Sequence, residues 1–263
     1  MIYQTIKQAK RIVVKVGTST LAYGTGGLNL RRIERLAEVL SDIKNSGREV
    51  ILVSSGAIGV GAGVLGMMNR PSDTKDRQAA AAVGQCELMN YYGQLFHKYG
   101  HNVAQILLTK DTIDVAKSKE NARNTFQTLL DYGVLPIVNA NDTVSTEETD
   151  CGDNDTLSAI VATLVEADIL IMLSDIDGLF DSDPRKNEHA KMIRIVKDID
   201  EDILQTASGA GTKNGTGGMV TKLSAAKIAT SAGIHTCINN GKHPEILYDI
   251  LDGKETGTLF VAN

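Results

Sequence analysis

Two lysines and three short clusters of small polar residues have the types needed to handle a phosphoryl group. Lys15 stands inside an otherwise apolar run, RIVVKV over 11–16, just ahead of Gly17-Thr18-Ser19. Strand alternation places Val13 and Lys15 on one face. That is a poor place for an ordinary surface residue, although a lysine at a strand's end can snorkel to water. Lys222 follows Thr216-Gly217-Gly218-Met219-Val220-Thr221, a Gly pair ahead of a helix that starts with Thr-Lys. Backbone N–H groups at Gly-rich turns bind phosphate oxygens, and ammonium groups offset the charge of a transferring phosphoryl. Asp153 and Asp155 flank Asn154 where a helix is predicted to begin. Capping needs one such side chain. The surplus carboxylate points to a site, and an Asp there can hold lysine ammonium groups by charge pairing. Asp142 is suited to a ligand's amino group.

Other phosphate and cofactor signatures do not fit. No GxxxxGK[ST] loop is present, nor are the HRD and DFG signatures of protein kinases. Gly61-Ala62-Gly63-Val64-Leu65-Gly66 matches GxGxxG. A dinucleotide fingerprint must follow its strand directly and be trailed by an acidic residue at the end of the next strand. Here SSGAIGV intervenes and an Ala-rich helix lies downstream. His97 and His101 have Gly100 between them and no HExxH pattern, so they are expected at the surface of a helix end; no protein metal ligands are assigned.

The elements that must position these residues alternate. Strands are predicted over 11–16, 49–53, 103–109, 134–139, 169–174 and 236–239, with a terminal edge strand at 259–261. Helices are predicted over 30–45, 77–98, 122–132, 156–166 and 222–232, with Gly47 ending the first of them as a C′ residue. Short apolar strands alternating with helices predict an α/β fold, a parallel sheet covered on both faces. In such sheets ligands bind beyond the carboxyl ends of the strands. Those ends carry Gly17-Thr18-Ser19, Ser54-Ser55-Gly56, Asn139 with Asn141 and Asp142, and Ser174-Asp175. All are small, polar or acidic, beyond what turns alone favour.

Bulk properties narrow the class. A chain of 263 residues with 42% hydrophobic content can bury a large core, and a net charge of −5 offers no attraction to nucleic acid or an anionic membrane. Cys86, Cys151 and Cys237 are odd in number and far apart, which predicts reduced thiols. No apolar run is long enough to span a bilayer, and MIYQTIKQAK lacks the apolar core of a signal peptide, so a cytoplasmic location is expected.

Seven co-linear blocks resemble the amino acid kinase superfamily and, within it, the glutamate 5-kinases. They are VVKVGTS (13–19), VSSGAIGVG (53–61), RQAAAAVGQ (77–85), PIVNANDTV (136–144), GDNDTLSAIVA (152–162), LSDIDGLFDSDPR (173–185) and GTGGMVTKLSAA (215–226). The resemblance spans essentially the whole chain. It implies a single domain, a three-layer αβα sandwich with a mainly parallel sheet. Its acceptor lobe would cover about 1–168 and its nucleotide lobe about 169–263.

The implied reaction is ATP-dependent phosphorylation of the glutamate γ-carboxylate, the first step of proline synthesis, with magnesium bridging the β- and γ-phosphates. Carried over by position, Ser55, Asp142 and Asn154 would bind glutamate. Lys15 and Lys222 would flank the phosphoryl group, Asp155 would orient both, and Gly17 and Gly56 would offer N–H donors. Ser174, Asp175 and Thr216 through Lys222 would line the nucleotide together with Lys15 and Gly17. A homo-oligomer, feedback inhibition by proline and hand-off to glutamyl-phosphate reductase are also implied.

Two positions depart from the family pattern, Ala140 where Glu is typical and Cys151 where Phe is frequent; both flank the acceptor site and bear on acceptor affinity and inhibitor response. The chain ends at Asn263, so the RNA-binding-type PUA domain of many bacterial relatives is not expected. Another carboxylate kinase of the superfamily, and a non-catalytic nucleotide or amino-acid sensor, are the alternatives.

Overall fold

The computed structural model describes residues 2–23, 27–69, 71–144, 153–184, 186–207 and 218–263. Thr216, Gly217, Cys151 and the polar stretch 145–150 lie outside the described residues.

The first half of the chain comprises α1 (Ile2–Lys7), β1 (Arg11–Val16), α2 (Thr18–Leu21), α3 (Leu30–Asn45), β2 (Glu49–Ser54), α4 (Ala57–Val64), α5 (Thr74–Lys98), β3 (Val103–Leu108) and α6 (Lys110–Asp114). It continues through α7 (Ala116–Asp131), β4 (Leu135–Ala140), α8 (Asn154–Leu164) and β5 (Ile169–Ser174). The remainder is β6 (Ile195–Val196), α9 (Glu201–Ala207), α10 (Met219–Ser231), β7 (His235–Asn240), α11 (Ile246–Leu251) and β8 (Thr258–Phe260).

The strands form an eight-stranded sheet in the order β3-β4-β2-β1-β5-β7-β8-β6. Every pairing is parallel except β7 with β8. Strand alternation divides the core in two. Ile12, Val14, Val16, Ile169 and Ile171 face the layer that contains α3, α5 and α11, through Leu36, Leu40, Phe96 and Ile250. Val13, Ile51, Val53, Leu170 and Met172 face α7, α8 and α10, through Phe126, Leu157, Val161 and Leu223. The result is the expected αβα sandwich. Lys15 shares the parity of Val13, so it projects toward the layer that holds α8 and α10. The chain leaves β1 on one side for β2 and returns on its other side as β5. The carboxyl ends of β1 and β5 therefore flank the point where strand order reverses, the crevice where open α/β sheets bind ligands.

Three differences from the sequence reading have clear causes. The last strand is not an edge: β8 runs antiparallel to β7 and is covered on its far side by β6, a two-residue strand too short to leave a pattern. Residues 57–64, in which GxGxxG begins, are helical. A Cβ on Gly84 would lie 1.8 Å from the Ala57 carbonyl oxygen, and one on Gly61 would lie 1.8 Å from that of Ala80. These glycines let α4 and α5 cross backbone against backbone, and that contact is their structural role. Helix α7 begins six residues before the predicted start; its first two turns, rich in Lys and Glu, bury no side chain and so leave no apolar period to read. Helix α3 and strands β1 and β5 match their predicted bounds, and Gly47 closes α3 at φ +91°. Among the described residues no helix is long and apolar enough to cross a membrane.

Candidate active site

Asp155 is the hub. Asp153 occupies the N-cap of α8, its carboxylate accepting the Thr156 N–H at 2.8 Å. Asp155, two positions on, is thereby free of capping and turns inward, 1% exposed. Its Oδ1 lies 2.6 Å from Lys15 Nζ, and its Oδ2 lies 3.1 Å from Lys222 Nζ. The Thr221 hydroxyl stands 2.9 Å from Oδ2 and 2.8 Å from the Gly218 carbonyl, so its single proton serves either acceptor. Both lysines are 6% exposed. One arrives from the middle of the sheet and the other from the first turn of α10.

Two ammonium groups share the Asp155 carboxylate in a buried place, and the Asp153 charge adds a weaker attraction on Lys15. Burial pulls the Lys15 ammonium below the ordinary lysine value; the Asp155 carboxylate opposes the shift and the Lys222 charge adds to it. Burial alone pushes the Asp155 carboxyl up, but the lysine charges and hydrogen bonds outweigh it and hold it below its usual range. Such a cluster is a poor source of stability, since desolvating charges consumes much of what pairing returns. Two ammonium groups held side by side are instead suited to receive an anion.

On the β2 and β4 side, the Asn154 amide gathers the two strand ends. Its Nδ2 donates toward Ser55 Oγ at 2.9 Å, Asn139 Oδ1 at 3.0 Å and the Ser54 carbonyl at 3.3 Å. Asn139, 1% exposed, donates its own Nδ2 to Gln85 Oε1 at 2.9 Å. The Tyr92 hydroxyl, one face of α5 further along, meets Ser54 Oγ at 3.0 Å. Burial pushes the Tyr92 phenol well above its ordinary value, so it stays protonated. Gly56 enters α4 at φ +102°, a backbone conformation that favours glycine. Asp142 is half-buried in the turn after β4. Ala140, buried at the end of β4, gives its N–H to Asn139 Oδ1.

On the β5 and α10 side lies a cavity of about 280 Å³. Ser174, Asp175, Gly218, Met219 and Lys222 line it, and Phe180 and Thr206 close its far wall. Ser174 Oγ donates to Asp175 Oδ1 at 3.1 Å. Gly218 is the N-cap of α10, and among the described residues nothing stands within 4 Å of where its Cβ would be. The first N–H groups of a 13-residue helix, with its positive dipole end, thus face the cavity.

The structure brings Lys15, Lys222 and Asp155 together, and sets Ser55 with Asn154 on one side and Ser174, Asp175, Gly218 and Met219 on the other. Gly17 backs the Lys15 ammonium, its Cβ position 3.7 Å from Nζ. Val220 is 47% exposed and takes no part in the cavity lining, and Thr221 turns to Asp155 instead. Gln85 and Tyr92 were not singled out from the sequence; a polar residue in the Ala-rich stretch 77–85 was the available signal. His97 is exposed at the end of α5, and His101 Nε2 stands 3.3 Å from the Ser41 carbonyl. Among the described residues no three His, Cys, Asp or Glu side chains stand close enough to cage a metal ion.

The family model described as the amino acid kinase family matches residues 10–240. The glutamate 5-kinase of Clostridium perfringens (strain 13 / Type A) is 57% identical to this chain, with 98% of each covered. This chain belongs to the glutamate 5-kinase branch of the amino acid kinase family. The glutamate 5-kinase of Listeria innocua serovar 6a is 53% identical, over 98% of this chain and 95% of its own. Two solved structures share the fold: the UMP kinase of Bacillus anthracis at TM-score 0.66, 21% identity and 97% coverage of both chains, and the T. acidophilum isopentenyl phosphate kinase product complex at TM-score 0.65, 17% identity and 95% coverage of this chain and 99% of that one.

Proposed function

We propose that this chain transfers the γ-phosphoryl group of ATP to the γ-carboxylate of L-glutamate, giving L-glutamyl 5-phosphate and ADP. The observation that carries the reading is the Lys15–Asp155–Lys222 cluster, which lies between the Asn154, Asn139 and Ser55 hydrogen-bond network and a cavity lined by the start of α10. In this reading residues 1–168 supply the acceptor half and 169–263 the nucleotide half. The nucleotide phosphates lie at the start of α10, with Ser174, Asp175 and Thr216 through Lys222 around them. Glutamate lies against Ser55, Asp142 and Asn154.

A glutamate carboxylate oxygen forms the new bond to Pγ as the bond from Pγ to the β–γ bridging oxygen breaks, and ADP leaves with that electron pair. The nucleophile is already ionised at neutral pH, so no proton has to be removed. The barrier lies in bringing two anions together, and Lys15 and Lys222 offset that charge from the acceptor and nucleotide sides. Asp155 keeps both ammonium groups aimed, and Gly17 and Gly56 add backbone N–H donors. Magnesium would be held by the nucleotide, with no residue of this chain assigned to it, and would supply further neutralisation of the phosphate charge.

The same reading places the chain at the first step of proline synthesis in the cytoplasm, as a homo-oligomer inhibited by proline and passing its labile acyl phosphate to a reductase. The direct test incubates the protein with ATP, magnesium, hydroxylamine and one acceptor at a time. ADP release with γ-glutamyl hydroxamate from glutamate, and none from aspartate or N-acetylglutamate, is the expected result. Hydroxamate from a different acceptor would reassign the substrate, and none from any of the three would favour a sensor.

A further inference from the structure

Gln85 is 7% exposed, and its Oε1 accepts a hydrogen bond from the Asn139 amide. We infer that Gln85 is a positioning residue that sets the orientation of the acceptor-pocket amides and thereby the preference for an acceptor carrying a free ammonium group. The inference rests on the proposed glutamate acceptor.

An asparagine amide has a donor end and an acceptor end of nearly equal size, so its orientation is decided by its neighbours. Gln85 Oε1 accepts from Asn139 Nδ2 at 2.9 Å, which turns Asn139 Oδ1 toward α8 and the Ala140 N–H. That oxygen is one of the three acceptors around Asn154 Nδ2. With all three acceptors drawn to its nitrogen, Asn154 has its Oδ1 fixed on the opposite side. Among the described residues this oxygen is buried and has no hydrogen-bond partner.

A buried acceptor without a donor costs stability until something supplies one. A ligand ammonium supplies it; a ligand carboxylate would meet an oxygen and be repelled. Were Asn139 to flip, its NH2 would face that of Asn154, two donors with no acceptor between them. Relieving that conflict turns Asn154 as well and presents an NH2 group to the pocket. The order Gln85, Asn139, Asn154 therefore transmits one orientation across α5, β4 and α8 into the acceptor site.

Three variants separate this role from simple packing. Gln85→Glu keeps an oxygen that accepts from Asn139. Gln85→Leu keeps the volume and removes the acceptor. Gln85→Lys presents a donor to Asn139 Nδ2 and favours the flipped state. With the full-length protein and the hydroxamate readout, the glutamate KM is expected to rise about tenfold in Gln85→Leu, and further in Gln85→Lys. The ATP KM should stay within about twofold of the parent in all three, and Gln85→Glu should stay within about threefold on glutamate. Equal glutamate KM in Gln85→Leu and the parent would overturn the positioning role, as would a parallel rise in the ATP KM or a failure of Gln85→Glu to restore. If Gln85→Leu fails to fold, the Gln85→Glu and Gln85→Lys pair decides the same question. A parent protein without glutamate-dependent hydroxamate would instead overturn the proposed reaction.

Discussion

The two ends of the site are built differently. At the acceptor end, side chains from α5, β4, α8 and the end of β2 interlock through Gln85, Asn139, Asn154 and Ser55, and three of those four are under 9% exposed. At the nucleotide end, Ser174 and Asp175 engage each other, and a cavity of about 280 Å³ opens against the start of α10. The difference follows from what each ligand demands. A small amino acid is told from its analogues by oriented donors and acceptors, which reject a ligand that leaves them unpaired. A polyphosphate is held by charge and by backbone N–H groups, which a helix end supplies without side-chain precision. Asp155 joins the two, because Lys15 approaches its carboxylate from the middle of the sheet and Lys222 from the first turn of α10.

The largest effect is expected where the two ends meet. Lys15→Ala and Lys222→Ala should each lower kcat by roughly 10²-fold or more, with smaller changes in either KM, measured by steady-state hydroxamate formation. A loss confined to KM would put the lysines in ground-state binding instead.

Breaking the acceptor end from behind is the next test. Gly84→Ala drives a methyl group into the Ala57 carbonyl and should destabilise the fold by about 3 kcal/mol in denaturant unfolding. Gly93→Ala, on the same helix with nothing within 4 Å, should cost nothing and could gain about 0.5–1 kcal/mol. Similar losses in both would mean that helix propensity, and not the α4–α5 crossing, is being measured.

At the nucleotide end Ser174→Ala removes a hydroxyl that orients Asp175, and should raise the ATP KM by about fivefold while sparing the glutamate KM. An effect on glutamate alone would reverse the assignment of the two ends.

The pH dependence distinguishes them more gently. Lys15 has its pKa lowered by burial, so its charge is lost at a lower pH than a free lysine would lose it. Since the charged form offsets the phosphoryl, kcat/KM should fall as pH rises, with an upper limb below the ordinary lysine value of 10.5. An upper limb at or above that value would show that Lys15 is not the titrating group.

The sequence revealed the part of this arrangement that depends on chain periodicity. Strand β1 was bounded by its apolar run, and Lys15 was conspicuous because alternation put a charge on a buried face. Asp155 stood out because α8 needed only Asp153 as a cap. Gly61 and Gly84 were harder to read, since each meets the backbone of the other's helix, at Ala80 and Ala57, far away along the chain. Gln85 was harder still. Its polarity within an Ala-rich helix was the one local signal, and its partner Asn139 is 54 positions distant. Edge strand β6 has two residues and leaves no period to detect.

The central claim is that Asp155 aims both lysines at the transferring phosphoryl group, and Asp155→Asn tests it most directly because it keeps the shape and removes the charge. With circular dichroism confirming the fold, kcat at saturating ATP and glutamate should fall at least about 100-fold, with each KM within a few-fold of the parent. A kcat within about threefold of the parent would contradict the account and leave the cluster a structural ion pair.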